Sequence, residues 1–250
     1  MTFLNADQSH EHSLQTLNQL FEHDDFMLSI STMIDLGCGV GKDLEWWATR
    51  TTRDDVPEPL NIKCVGIDKE NTQLASKYPN LRYHPGNFEN EIYSPKGGYD
   101  VLWCHDAFQY ATDPIGTLSR WWTIGSPGAM LALTVPITQR IHRRQLDYHL
   151  PSGCYYHHTM VSLIYMLATA GWDCRAGFFK QDPADVWLNA IVYKSENQPQ
   201  DPRTVTWQTL SDMKLLPESA DASVYAHGYL QQQDLIIPWI DRSLAIMKSL

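Results

Sequence analysis

An α/β protein with a mostly parallel, doubly wound sheet is what this 250-residue sequence predicts, and three observations carry the prediction. The run Met33-Ile34-Asp35-Leu36-Gly37-Cys38-Gly39-Val40-Gly41-Lys42 takes apolar residues into a carboxylate, then into a glycine-rich turn that opens a helical pattern. A second apolar run, Ile62 to Asp68, closes on another carboxylate, where the next strand of a βαβ unit would end. Further strand-like runs then alternate with helical patterns, which argues for parallel strands with ligands at their carboxyl ends.

The elements follow in order. Leu14, Leu17, Leu20, Phe21 and Leu28 give residues 1–29 the spacing of an amphipathic helix packed on the domain behind it. His10, His12 and His23 within it read as solvated surface histidines. At the glycine turn, glycine admits positive φ and leaves the backbone open to a ligand. N–H groups at the helix start then favour an electron-rich or anionic group. Asp43 to Thr49 reads as a helix with Trp46 and Trp47, and Arg50 to Leu60, with Pro57 and Pro59, as a loop. Asp68 reads either as an acceptor for both ribose hydroxyls of a nucleotide-like ligand or as the cap of a helix starting at Glu70. Its pairing with the glycine turn favours the ligand.

Leu81 to His84 is the third strand and leads to Pro85-Gly86-Asn87-Phe88; Tyr99 to Cys104 is the fourth and ends in His105-Asp106-Ala107-Phe108-Gln109-Tyr110. Pro114 suits the first turn of a helix that runs to Ile124. Ser126-Pro127-Gly128 is expected to turn the chain into a fifth strand, Ala129 to Val135. Residues 136–158 show little periodicity. Thr159 is an N-cap for a helix carrying Met160, Leu163, Ile164 and Leu167 on one face and stopping at Gly171. Strands at Asp173 to Phe179 and Val186 to Tyr193 finish the sheet. After the polar segment Ser195 to Arg203, residues 204–250 read as helical, with Trp207, Leu210, Leu235, Ile236, Trp239, Ile240 and Met247 as apolar anchors. The expected organisation is an N-terminal helical cap over 1–29, the main domain over 30–194 and a helical extension over 195–250. The extension would pack either over an acceptor pocket or across a homodimer interface.

Composition narrows the function. Lys plus Arg is 19 against 29 for Asp plus Glu, a net charge of -10, which opposes binding to phosphate backbones. No apolar run approaches the roughly 20 residues that span a bilayer, and the polar N-terminus does not read as a signal peptide. Cys38, Cys64, Cys104, Cys154 and Cys174 are odd in number and widely spaced, with no C-x-x-C pair. A reducing, cytoplasmic setting fits them, and no metal site is expected.

Taken together, "MIDLGCGVGKD", "VGIDKE", "HPGNF", "YDVLWCHDAFQYATDP", "GSPGAMLALTVP" and "HHTMVSLIYMLATAGWDC" resemble, in order and spacing, the class I methyltransferases that use S-adenosylmethionine, and within them the small-molecule branch. The resemblance covers residues 30–194. It implies a Rossmann-like sheet of seven strands in the order 3-2-1-4-5-7-6, with strand 7 antiparallel. By the same resemblance, Asp35 and the backbone of Gly37, Cys38 and Gly39 would hold the methionine part of the cofactor. Asp68, followed by Lys69, would hold the ribose, and Asn87 and Phe88 would meet the adenine. The chain at Cys104 and His105 would approach the ammonium group. Many relatives carry Asp where Asn87 stands; an amide keeps the contact but loses the charge-assisted bond.

A sulfonium already activates the methyl group, so catalysis asks chiefly for alignment, and for a base where the acceptor must shed a proton. The candidates are His105, Asp106, His149 and His157, with His158 also within the set. Tyr110, Tyr156 and His158 are expected to contact the substrate. Arg143 and Arg144, with Arg140, form a basic cluster that would clamp a carboxylate or phosphate, or else form a solvated helix face. The expected activity is methyl transfer to oxygen or nitrogen of a small polar molecule. The alternatives are a protein or RNA methyltransferase and a binding protein without turnover. A nicotinamide oxidoreductase is disfavoured, because the third glycine of G-x-G-x-x-G is absent.

Overall fold

The computed structural model describes residues 6–21, 29–51, 57–69, 77–90, 94–136, 156, 158–181 and 187–236. Its centre is one sheet of β1 (Thr32–Leu36), β2 (Lys63–Asp68), β3 (Leu81–Pro85), β4 (Tyr99–His105), β5 (Gly125–Pro136), β6 (Trp172–Gln181) and β7 (Trp187–Lys194). The strands lie in the order β3-β2-β1-β4-β5-β7-β6, as expected. Every pair from β3 to β5 is parallel, and β7 runs antiparallel to both β5 and β6.

Alternation along the strands sends residues to two different cores. Met33, Val101 and Trp103 face α1 (Ala6–Phe21) and α2 (Lys42–Ala48), where they meet Leu17, Leu44 and Trp47. Ile34, Leu102 and Cys104 face α3 (Pro114–Ile124) and α4 (Met160–Thr169), where Leu118, Trp121, Leu163 and Leu167 are buried. Each such side chain contributes on the order of 1.5–3 kcal/mol through burial. Gly66 of β2 is required by this packing, since a Cβ there would lie 2.2 Å from Leu44 Cδ1.

Local chemistry sets the helix ends. Asp113 caps α3, its Oδ1 accepting from the N–H of Gly116 at 3.0 Å with Pro114 next in line. Thr159 and Ser162 form a capping box at α4, and Gly171, at φ +87°, follows its end.

One expected boundary is corrected. Gly125 to Gly128 do not form a turn ahead of β5 but are its first residues: Tyr99 pairs with Gly125, Val101 pairs with Met130, and an irregularity in register absorbs the excess. Gly128 accommodates it at φ +73°, and Ser126 donates to Asp100 at 3.0 Å.

The described part of the tail, 195–236, contributes α5 (Trp207–Asp212) and α6 (Glu218–His227). Leu210, Leu215, Leu216 and Val224 join the α3/α4 core, Cys174 donates its N–H to the carbonyl of Leu215, and Arg175 pairs with Asp221. Cys174 opens β6, so this stretch covers the amino edge of the sheet, opposite the ends of β1 and β4. Its described residues therefore do not roof an acceptor pocket. Trp239, Ile240 and Met247 lie outside the described residues.

Candidate active site

At the carboxyl edge the chain leaves β1 through Gly37, Gly39 and Gly41, with φ of +86°, +51° and +80°. Those angles suit glycine and strain other residues. Space matters as well at Gly37, where a Cβ would sit 2.3 Å from the Cβ of Ala107 in the loop after β4. A Cβ added at Gly39 would meet nothing within 4 Å, so the turn is open on that side. The turn is tied to β2: Gly37 and Cys38 donate their N–H groups to the carbonyl of Ile67, and Gly39 donates to Asp68 Oδ2 at 2.8 Å. Asp68 is thus joined to the glycine turn. The helix from Glu70 that it was alternatively read to cap, and the residues after Lys69, lie outside the described residues.

Three carboxylates gather here. Asp35 is buried, and burial, reinforced by the charges of Asp43 and Asp68, pushes its carboxyl well above the usual range. Burial also opposes the charge of Asp43. It is outweighed by hydrogen bonds from His10, Ser13 and Trp103 and by nearby His105, so that carboxyl is held low. An acidic pocket beside exposed backbone suits a ligand bearing positive charge and hydroxyl groups. S-adenosylmethionine has both, a sulfonium with an ammonium and a ribose diol, so the residues present fit it.

After β3, Asn87 Oδ1 accepts from the N–H of Glu89 at 2.9 Å, which shapes the turn there. Phe88 is buried against Trp121, and Gly37 lies within reach of its ring. Cys104 buries its side chain in the α3/α4 core, so it offers the site its backbone.

His105 closes β4 with its ring on the opposite, α1/α2 side. Its Nε2 lies 3.0 Å from His12 Nδ1, its ring is stacked with Trp103 at 6.4 Å and 10°, and Trp187 stands 5.5 Å away. His12 and His10 therefore depart from the solvated reading: His10 Nδ1 approaches Asp43 Oδ1 at 3.2 Å, and Ser13 donates to the same carboxylate. The packing of α1 through Leu17 and Leu20 is what brings them in.

Asp106 takes φ +54°, a left-handed angle that Asp tolerates better than most side chains. It accepts from Gln109 Nε2 at 2.7 Å and donates its N–H to Thr134 at 3.0 Å. Tyr110 is exposed at the end of a short 3-10 turn. Tyr156 donates to the carbonyl of Thr112 at 3.3 Å, and buried His158 stacks on Phe108 at 5.5 Å. Tyr156 and His158 are thus brought to the 108–112 turn, on the α3 side. His149, His157, Arg140, Arg143 and Arg144 lie outside the described residues.

Sequence reasoning did not single out Asp43, Trp187, Thr134 or Asn189. Thr134 is paired with both His105 and Asn189 across β4, β5 and β7, and its hydroxyl donates to Asn189 Oδ1 at 2.9 Å. The other end of that buried amide, Nδ2, meets no hydrogen-bond partner among the described residues. Asp43 had a usable signal, a carboxylate in the first turn of the helix after the glycines. Trp187 and Asn189 had none, because strand register alone brings them near.

Comparison with known proteins agrees with this geometry. Residues 34–133 match the family described as "Methyltransferase domain". The trans-aconitate 2-methyltransferase of Deinococcus radiodurans is 32% identical over 108 residues, spanning 42% of this chain and 37% of that protein's own length. Among solved structures, the N-methyltransferase NodS of Bradyrhizobium japonicum superposes with a TM-score of 0.52 at 14% identity, over 78% of this chain and 100% of that one. An S-adenosylmethionine-dependent methyltransferase of Mesorhizobium loti gives 0.50 at 15% identity, over 67% and 94%. The stretch from β1 into β5 thus matches a methyltransferase domain, and the sheet order and glycine turn give the chain the fold of the solved S-adenosylmethionine-dependent methyltransferase it resembles.

Proposed function

We propose that the protein transfers a methyl group from S-adenosylmethionine to an oxygen or nitrogen of a small polar molecule, in the cytoplasm. The observation that carries this reading is the bond from the Gly39 N–H to Asp68 Oδ2, which fixes a ribose-type acceptor beside open backbone at the carboxyl edge. Asp35, with the backbone of Gly37, Cys38 and Gly39, holds the cationic methionine end. Asp68 and Lys69 take the ribose, and Asn87 and Phe88 take the adenine. The backbone at Cys104 and His105 closes the cradle.

Once bound, the cofactor supplies a methyl group made electrophilic by its sulfonium, so the chain's task is alignment and proton removal. His105 takes the proton of an O–H or N–H acceptor. The indoles of Trp103 and Trp187 pack on its ring and fix its place at the end of β4. The unmet amide end of Asn189 would cost about 1–3 kcal/mol in isolation, and a polar group of the acceptor would relieve it. Tyr110, Tyr156 and His158, with Arg143 and Arg144, are assigned to the acceptor's outer contacts. His149 and His157 stand behind His105 as bases, and Asp106 positions the loop. The net charge of -10 disfavours a nucleic-acid substrate, and among the described residues no helix is long and apolar enough to cross a membrane.

The test is a screen of metabolite pools for incorporation of a labelled methyl group, with trans-aconitate included because a relative bears its name. Transfer to an O–H or N–H acceptor that collapses in His105→Ala is the expected result. Efficient methylation of trans-aconitate that ignores His105 would move the reading to a carboxylate acceptor, which needs no base. Transfer only to protein or RNA, falling steeply with salt, would replace the small molecule by a macromolecule.

A further inference from the structure

The N-terminal helix places one imidazole directly on another: His12 Nδ1 stands 3.0 Å from His105 Nε2, across 93 residues of sequence. We propose that His12 is the positioning residue for His105. It accepts the Nε2–H of His105, so that the other ring nitrogen, Nδ1, presents its lone pair to the acceptor's proton. The inference rests on His105 serving as the base.

The argument is one of proton bookkeeping. Two neutral imidazoles share a single proton along the line between them. If His12 were the donor, His105 would carry its proton on Nδ1 and have no lone pair to offer. With His105 as the donor, Nδ1 is basic. The acceptor's O–H or N–H bond then breaks, with its proton moving to His105 Nδ1 and its electron pair forming the new bond to the methyl carbon. The carbon–sulfur bond breaks and leaves its pair on sulfur. His105 is now an imidazolium, and its Nε2–H still points at His12, as a charge-assisted bond stronger than the neutral one. The dyad therefore favours the protonated ring, as an orienting acceptor does for the histidine of a hydrolytic triad. The proton leaves to water after turnover.

The surroundings hold this geometry. Leu17 and Leu20 of α1 are buried, and His10 and Ser13 of the same helix both meet Asp43, so His12 is carried in on an anchored element. His12 and His105 each pack on Trp187, at 5.6 and 5.5 Å, and Trp103 stacks on the far side of His105. His105 lies near enough to Asp43 to help hold that carboxyl low. Histidines that were merely solvated would need none of these partners.

The experiment is long-range nitrogen–proton correlation spectroscopy of the full chain with nitrogen-15 histidine, above the titration of the rings. Wild type should show His105 as the Nε2–H tautomer. In His12→Phe, which keeps a ring but offers no acceptor, that signature should give way to a mixture. In His12→Gln, whose amide oxygen can accept, it should persist. Transfer to the acceptor found in the screen should show kcat falling about tenfold in His12→Phe with KM little changed, and largely restored in His12→Gln. Melting curves and calorimetry with S-adenosylhomocysteine check that both variants fold; should His12→Phe fail, the wild-type tautomer and His12→Gln decide. An Nδ1–H tautomer in wild type, or a His105 signature indifferent to His12, overturns the proposal. If the tautomer is as stated but His105→Ala keeps full rate, the base reading falls and the hydrogen bond alone stands.

Discussion

The two halves of the carboxyl edge are built differently. The half formed by β1 and β2 is acidic and local: Asp35, the glycine turn and Asp68 sit at the ends of adjacent strands, and hydrogen bonds tie the turn to β2. The half formed by β4, β5 and β7 is aromatic and assembled from afar, with His12 from α1, His105 from β4 and Trp187 from β7 meeting ring to ring. Under the proposed function the first half takes the cofactor. The second takes the acceptor under the same reading, and α1, which brings His12 to it, also meets Asp43 beside the first half through His10 and Ser13.

The contrast can be broken most forcefully in the acidic half. In Gly37→Ala, the added Cβ meets Ala107 at 2.3 Å and φ is +86°; the left-handed angle alone costs about 1–2 kcal/mol and the clash raises the total to roughly 3 kcal/mol or more. Gly39→Ala, at φ +51° with no atom within 4 Å of the added Cβ, should cost about 1 kcal/mol. Thermal unfolding of the two variants checks this. Equal melting temperatures would remove the close approach between the turn and the loop after β4.

In the aromatic half, His105→Ala should lower the rate by on the order of 10²-fold while leaving cofactor affinity nearly unchanged. Single-turnover rates beside calorimetry separate the two. A raised KM with a normal rate would make His105 a binding residue only.

How much of this was legible in the sequence follows the same division. The cofactor half is written in contiguous residues, so "IDLGCGVG" and "GID" show their carboxylates and glycines directly, and Asp113-Pro114 marks a helix start as clearly. The dyad is not legible, because nothing near His12 in the chain indicates which strand its helix will cover. His12 reads as one polar residue on an amphipathic helix until Leu17 and Leu20 are seen buried against Trp47 and Trp103. The start of β5 misleads for another reason: Ser126-Pro127-Gly128 has turn composition, yet pairing with β4 draws it into the sheet through an irregular register. Of the tail's expected anchors, Leu210 is buried, Trp207 and Leu235 are partly buried and Ile236 is exposed, and which edge of the sheet the tail covers is decided by contacts such as Leu215 with Cys174.

A smaller effect distinguishes burial from binding at Asp35. Because its folded carboxyl titrates above its unfolded one, it stabilises the fold fully only below the unfolded pKa and loses that contribution as pH rises through the folded value. Asp35→Asn should therefore melt somewhat higher than wild type at neutral pH without cofactor, and the advantage should vanish in acid. The same variant should bind S-adenosylmethionine about tenfold more weakly, since a cation is what rewards the buried charge. A lower melting temperature at neutral pH would mean that Asp35 serves the fold rather than the cofactor.

The central claim is that the glycine turn and Asp68 together hold S-adenosylmethionine, and isothermal titration of wild type and Asp68→Ala tests it most directly. Wild type should bind S-adenosylmethionine and S-adenosylhomocysteine and ignore NAD, and Asp68→Ala should lose roughly 1–3 kcal/mol of that binding, the cost of leaving hydrogen-bonding groups unmet. Equal affinity in the two proteins, or no binding by wild type, would contradict it.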